Sequence, residues 1–342
     1  MLFPEKIKGP ELSAYDISEF LSMQFQPSDF ESLPCDFCGA NQSIVRYRKR
    51  GFAIVECATC GMIYTNPRLR GEKIAELYDA DYFQGHGFDR SVNYVKDVDE
   101  YGHEKHSYTL NDWDLDTIQS MLGTGYRVSG FGYRNSQAPR YPIPETPNPS
   151  LLEIGCGTGV FLAKAREHGF ASEGLELSSY AAEFVRNMGI PVQTKSIEEA
   201  NFAENSWDAI VMREVIEHLP HPLESLRTIH RWLKPGGVLF MATGNYDSPE
   251  RKLKGSDWFY FMPEGHLYYF SNRTMTKYLN KAGFRTVRVT NQGDLLMDKL
   301  LKLGILKQGE AAPRNLLRRA VFLLIRAANH FISSGMRIYA VK

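Results

Sequence analysis

Residues 151–159 read "LLEIGCGTG": an apolar run carrying one acid, Glu153, and then glycines at 155, 157 and 159. The run has the length of a buried strand. Glycines at alternate positions let the backbone take positive φ and approach closely whatever lies beside it. A helix starting near Thr158 aims its free N–H groups at the same place. The spacing is not the G-x-G-x-x-G of a dinucleotide site, because the third glycine comes one residue early and a carboxylate precedes the first. On its own, such a run also suits a turn with no ligand.

Outward from this stretch, strand and helix patterns alternate. "VFLAKAREH" (160–168) is amphipathic and stops at Gly169; "ASEGLEL" (171–177) reads as a strand; "SYAAEFVRNM" (179–188) is a helix behind Ser178 and ended by Gly189. "PVQT" (191–194) and "WDAIVM" (207–212) are further strands, and the helix "PLESLRTIHRWL" (222–233) runs into a "KPGG" turn before the strand "VLFMAT" (238–243). The helix "NRTMTKYLNKA" (272–282) leads through Gly283 to "FRTVRVT" (284–290), and the last strand is "MRIYAVK" (336–342). Sequential units of this length predict an α/β fold, a doubly wound parallel sheet with ligands at the carboxyl ends of its strands.

That topology narrows the ligand. Glu176 ends the second strand, 21 residues after Gly155, where an acid can accept hydrogen bonds from both hydroxyls of a ribose. Glu153 would repel a pyrophosphate but suits an ammonium or, at longer range, a sulfonium. S-adenosylmethionine carries both cations on an adenosine.

The chain has 342 residues, enough for one large core and a small satellite, and Lys+Arg and Asp+Glu both count 40. No global field gathers nucleic acid or anionic lipid. The first residues lack a cationic start followed by an apolar stretch, and no uncharged run approaches the roughly 20 residues that span a bilayer. A cytoplasmic enzyme is the expectation.

Four of the five cysteines form two C-x-x-C pairs, Cys35/Cys38 and Cys57/Cys60, each followed by glycine; the fifth is Cys156. Between the pairs, "SIVRYRKRGFAIVEC" (43–57) reads as a β-hairpin. Two knuckles around a hairpin are what a tetrahedral four-cysteine zinc site requires, and a site with four thiolates is closed, hence structural. Redox dithiols fit less well, since those belong at a helix start in a βαβ pattern. The chain then divides into a leader (1–30), a zinc ribbon (31–70), a helical lid and linker rich in Tyr, His and Asp (71–149), and the main domain (150–342). Within the linker, residues 123–149 are a Gly, Tyr and Pro segment without sustained period.

"LLEIGCGTG", "GLELS", "WDAIVMREVIEHL", "LKPGG" and "HLYYFS" resemble the class I S-adenosylmethionine-dependent methyltransferases, and "EVIEHLPHP" is similar to the ubiquinone-type O-methyltransferases. The ribbon "CDFCGA" to "CATCGMIYTNP" and the following "YDADYF" resemble a bacterial subgroup associated with modification of sugars and surface polysaccharides. The resemblance implies a Rossmann-like fold, with Gly155, Gly157 and Gly159 lining the methionine part of the cofactor, Glu153 supporting its ammonium, and Glu176 holding the ribose. It also implies that Ser196 and Ile197 flank adenine, although an acid commonly stands where Ser196 does. Leu177 and Arg213, beside the second and fourth strand ends, join the cofactor set, as does Cys156, a small residue filling tight space.

Methyl transfer is an in-line displacement, so much of its rate comes from holding nucleophile and methyl collinear. A hydroxyl nucleophile also needs a base. Glu214, Glu217 and His218 are spaced i, i+3 and i+4, so one helical turn would put all three on one side. His218 suits a base at neutral pH. The same residues suit capping of the adjoining loop, or a divalent ion that acidifies a hydroxyl. A second cluster, "GSDWFYFMPEGHLYYFS" (255–271), follows the fifth strand, carries the rival base His266, and offers Trp258, Tyr260 and Tyr268 either for stacking on substrate or as lid packing.

The late stretch 314–335 holds a basic amphipathic helix that suits packing on its own domain better than a membrane surface. The expected reaction is O-methylation of a sugar, a nucleotide-linked sugar or a similar small metabolite. The alternatives are C- or N-methylation of such a sugar, or a binding module whose ribbon docks on RNA or a protein; the neutral charge balance weighs against nucleic acid.

Overall fold

The computed structural model describes residues 6–7, 25–87, 93–104, 110–123, 148–292 and 334–342. Most of the leader, the segment 124–147 and the late stretch up to residue 333 lie outside the described residues.

The N-terminal part contains β1 (Lys6–Ile7), β2 (Phe30–Glu31), β3 (Ser43–Lys49), β4 (Phe52–Cys57), β5 (Ile63–Thr65) and β6 (Arg68–Leu69). The expected hairpin is β3–β4. Lys49 pairs with Phe52 across a two-residue turn in which Arg50 and Gly51 both have positive φ, the turn that matches strand twist. Four helices follow: α1 (Gly71–Glu76), α2 (Ala80–Phe83), α3 (Tyr94–Glu104) and α4 (Leu110–Met121).

The main sheet is built from β7 (Ser150–Ile154), β8 (Ala171–Glu176), β9 (Val192–Thr194), β10 (Trp207–Arg213) and β11 (Leu233–Gly244), with helices α5 (Val160–Glu167), α6 (Ser179–Asn187) and α7 (Pro222–Trp232) between them. Then come α8 (Pro249–Lys254), β12 (Tyr268–Tyr269), α9 (Asn272–Ala282), β13 (Arg285–Gln292) and β14 (Gly335–Val341). Local signals act as expected: Ser178 caps α6 by accepting the Ala181 N–H, and Ser271 and Thr274 form a capping box on α9, which ends at Gly283.

The strand order is β13-β14-β11-β10-β7-β8-β9. The sheet is mixed rather than wholly parallel, because β14 runs antiparallel to both β11 and β13. Gln292 at the end of β13 pairs with Gly335 at the start of β14, so the chain leaves and re-enters the sheet at the same end, with β14 set between β13 and β11. The "KPGG" stretch is not a free turn: β11 already pairs through Leu233 with Trp207, and a register shift before the next pair, Ala209 with Val238, absorbs it as a bulge.

A larger departure concerns the ribbon. Strand β12, from the segment after the fifth main strand, pairs antiparallel with β5, so the order β1-β3-β4-β5-β12 joins the two halves of the chain in one sheet. One apolar core holds Phe52, Met62 and Leu69 from the ribbon together with Leu152, Ile210 and Leu279 from the main domain. Buried Arg68 locks the joint, its Nη1 donating to the Pro220 carbonyl and to the Tyr268 hydroxyl while its Nε donates to Glu31.

Candidate active site

At the carboxyl end of β7, Gly155, Gly157 and Gly159 have φ of 65°, 53° and 84°, which no β-carbon-bearing residue takes cheaply. A β-carbon on Gly155 would also come 2.5 Å from the Val215 side chain. Glu176 is buried at the end of β8 and fixed at both oxygens: Oε2 accepts the Gly157 N–H at 2.8 Å and Oε1 the Ser178 N–H at 2.9 Å. Burial pushes its carboxyl above the usual range, against those backbone donors. Cys156 fills tight space as expected, since a β-carbon on Gly174 would come 2.6 Å from its Sγ.

Glu153 does not wait for an ammonium with both oxygens. Arg213 Nε donates to its Oε1 at 3.1 Å, while Oε2 is buried and has no partner among the described residues. The register explains the pair: Val211 faces Glu153 across β10 and β7, and Arg213, two residues on, shares its face. Arg213 is itself held by Asn111 of α4 and lies over the Phe161 ring. Burial raises the Glu153 carboxyl to about 7, with the Arg213 charge and hydrogen bond opposing and the Glu176 charge assisting. Leu177, next to Glu176, is 46% exposed. Ile197 is buried, and the Ser196 hydroxyl accepts the Glu199 N–H.

Past β10, the chain does not form the expected α-helical turn. Glu214 takes a left-handed φ of 52°, and only Ile216–His218 form a short 3-10 turn. The kink separates the three residues by role. Glu214 accepts from the Tyr260 hydroxyl at 3.1 Å, whereas Glu217 and His218 converge with His266, their ligand atoms lying within 4.8 Å of one another. Neither oxygen of buried Glu217 has a hydrogen-bond partner among the described residues. Burial, and then the Glu214 charge, push its carboxyl well above the usual range.

The two histidine rings meet edge to face with centroids 4.6 Å apart. His218 Nδ1 donates to the Gly265 carbonyl at 2.8 Å and lies 2.7 Å from the Tyr78 hydroxyl. A carbonyl can only accept, so Nδ1 bears a proton, and in the neutral ring Nε2 holds the lone pair. His266 is fixed alike by the Tyr260 carbonyl at 2.8 Å. Burial, then His218, hold it well below the usual imidazole range, so it is neutral. The covering segment is already seated: Leu267 N–H donates to the Glu217 carbonyl, and Thr65 Oγ1 of the ribbon donates to the His266 carbonyl. Trp258, Tyr260 and Tyr268 are buried and pack there.

The four ribbon cysteines come together. Their sulfurs lie within 4.8 Å of one another, with Cys35–Cys60 at 3.6 Å and Cys38–Cys57 at 3.5 Å. A tetrahedral zinc with Zn–S near 2.3 Å needs sulfurs about 3.8 Å apart, so the donor set fits that ion.

Sequence reasoning missed Tyr78, Arg68 and Asn111 as parts of this region. "YDADYF" marks Tyr78 as one of a run of aromatics, but which of them reaches His218 is decided by a contact across 140 residues.

Residues 133–289 match the model of a methyltransferase domain. Over 103 residues the chain is 28% identical to a ubiquinone biosynthesis O-methyltransferase of Pseudomonas paraeruginosa, covering 28% of this chain and 44% of that enzyme. Over 152 residues it is 26% identical to an enzyme of the same name from Coxiella burnetii, covering 41% and 65%. The chain thus spans less than two thirds of the length of these curated relatives. Among solved structures, an S-adenosylmethionine-dependent methyltransferase from Mesorhizobium loti aligns over 58% of this chain and 93% of its own at 19% identity, with a TM-score of 0.43. One from Archaeoglobus fulgidus aligns over 57% and 86% at 22% identity, with a TM-score of 0.42. Residues 133–289 thus match a methyltransferase domain, and the main sheet has the Rossmann-like α/β fold.

Proposed function

We propose that this chain is an S-adenosylmethionine-dependent methyltransferase acting on a hydroxyl of a sugar, a nucleotide-linked sugar or a similar small metabolite, with a structural zinc on Cys35, Cys38, Cys57 and Cys60. The observation that carries the reading is a juxtaposition. A glycine loop with its oriented acid, Glu176, stands at the end of β7 and β8, and two fixed histidines stand beside the adjacent end of β10.

The bound donor supplies an electrophilic methyl on a sulfonium. Glu176, already aimed by two backbone N–H groups, takes the ribose hydroxyls. Arg213, anchored by Glu153 and Asn111, keeps further N–H donors for the donor's carboxylate. His218 presents Nε2 as the base for the acceptor hydroxyl, because Nδ1–H is held by the Gly265 carbonyl. His266, neutral and deeper, touches the acceptor, and the seated covering segment excludes water.

A second reading has a specific observation behind it. Glu217, His218 and His266 offer one carboxylate and two imidazoles within 4.8 Å, and Glu217 has no donor among the described residues. These groups suit a divalent ion that acidifies the acceptor hydroxyl in place of a histidine base.

The test is calorimetric titration with S-adenosylmethionine, followed by transfer of labelled methyl to a panel of nucleotide sugars, with and without Mg2+ or Mn2+. Binding with transfer to a sugar hydroxyl supports the reading. No binding removes the cofactor, transfer only to carbon or nitrogen removes the hydroxyl, and transfer that stops on chelation while zinc is retained favours the metal.

A further inference from the structure

A cluster of five aromatic side chains reaches from the glycine loop to His218. Tyr82 and Phe83, buried at 7% and 3% exposure, pack with Tyr78, Tyr94 and Tyr180; the other member of this cluster is Ala181. A packing face of a lid is ordinarily filled with aliphatic side chains as well, as the larger clusters of this protein are. Here every large side chain is a ring.

The rings form a row with defined ends. At one end, a β-carbon on Gly157 would lie 3.8 Å from Tyr94 Cδ1 and 3.9 Å from Phe83 Cε1, so both rings border the glycine loop. Thr158 ties that end down by donating to the Tyr94 carbonyl. Phe83 and Tyr94 meet at 55° with centroids 5.4 Å apart, leaving an angled wall rather than a flat stack. Tyr82 continues the row at 5.7 Å from Tyr94 and Tyr78 at 5.0 Å from Tyr82. Tyr78 reaches the His218 ring at 5.7 Å. The row thus runs from the glycine loop to His218.

We infer that Phe83, Tyr94 and Tyr82 form the wall that recognises the positive sulfonium of the methyl donor. The lid, and not only the glycine loop, then selects the charged donor over its neutral thioether product. The inference rests on the proposed cofactor. Its physical basis is the negative face of an aromatic ring, which attracts a cation within about 6 Å and is worth most where water is excluded. The thioether lacks both the methyl and the charge but is otherwise the same molecule, so the wall holds the donor and loses its grip once the methyl has left.

The experiment is calorimetry on the full chain with S-adenosylmethionine and S-adenosylhomocysteine. Phe83→Leu and Tyr94→Leu keep apolar bulk and remove the ring. The donor's affinity should fall about 2- to 30-fold, while the product's changes much less. Stepwise fluorination of Phe83, which drains the ring face without changing its shape, should weaken the donor stepwise and leave the product unmoved, which guards against misfolding of the leucine variants. Equal losses for both ligands, or a donor affinity indifferent to fluorination, would mean that the rings only pack. A wild-type protein that binds neither ligand would instead overturn the cofactor reading, and this inference with it.

Discussion

Asp36, the residue after the first zinc-knuckle cysteine, accepts the backbone N–H of Leu223 with its Oδ2 at 3.3 Å. Leu223 is the second residue of α7, the helix that follows "EHLPHP", so a knuckle residue satisfies a donor at that helix start. His221 stands 3.8 Å from the same carboxylate, and Phe37 packs on Tyr278 of α9 with centroids 4.9 Å apart. The cysteine cluster is thereby tied to α7 and α9 of the main domain.

Loss of zinc should therefore damage the whole fold and not only the N-terminal part. Purified, reduced protein is expected to carry about one zinc per chain, and chelation or Cys57→Ser should lower the melting temperature of a single cooperative transition. Scanning calorimetry with elemental analysis checks both points. A main domain that melts unchanged after zinc removal would show that the shared β5–β12 sheet does not couple the two parts.

Glu176→Ala should weaken S-adenosylmethionine binding by about 2 to 3 kcal/mol, through loss of two charged acceptors. Glu176→Gln should be nearly as harmful, because its amide would have to point N–H at one of the two backbone donors, Gly157 or Ser178. Titration calorimetry reads both. Glutamine with wild-type affinity would contradict the oriented-carboxylate account.

For the base, His218→Ala should cut turnover by roughly 10²- to 10⁴-fold with cofactor affinity nearly intact, and His266→Ala should mainly raise KM for the acceptor. Steady-state kinetics on the identified acceptor separates them. If both variants keep near-normal turnover, a carboxylate, a bound ion or positioning alone carries the reaction.

Glu153 predicts a pH dependence. Its folded value near 7 exceeds the usual 4.5, so the folded state binds the extra proton more tightly. Stability linked to this group is then fully present below about 4.5 and is lost as pH rises through 7. Glu153→Gln removes the titration and keeps an oxygen for Arg213. Its stability relative to wild type should improve from pH 4.5 to 7.5, by an amount on the order of 3 kcal/mol. Denaturant melts at both ends of that range measure it, and a difference that stays constant with pH would place the carboxyl elsewhere.

What the sequence determined by itself is everything that depends on neighbours along the chain. The β7 glycine loop, the helices behind Ser178 and Ser271, the β3–β4 hairpin and the C-x-x-C pairs are local patterns, in which period, cap and turn chemistry act within a few residues. Tertiary structure decided what depends on residues far apart. Antiparallel β14 follows from where β13 leaves the sheet, the joining of ribbon to main domain from the pairing of Tyr268 with Tyr64, and the counter-ion of Glu153 from the register of β10 on β7. The kink at Glu214 belongs to the same class: i, i+3, i+4 spacing predicts one helical face, but helical dihedrals are a local preference worth tenths of a kcal/mol per residue. Long-range bonds from Tyr260 to Glu214 and from Leu267 to Glu217 accompany the chain's departure from it, sending one carboxyl toward the covering segment and the other toward the histidines.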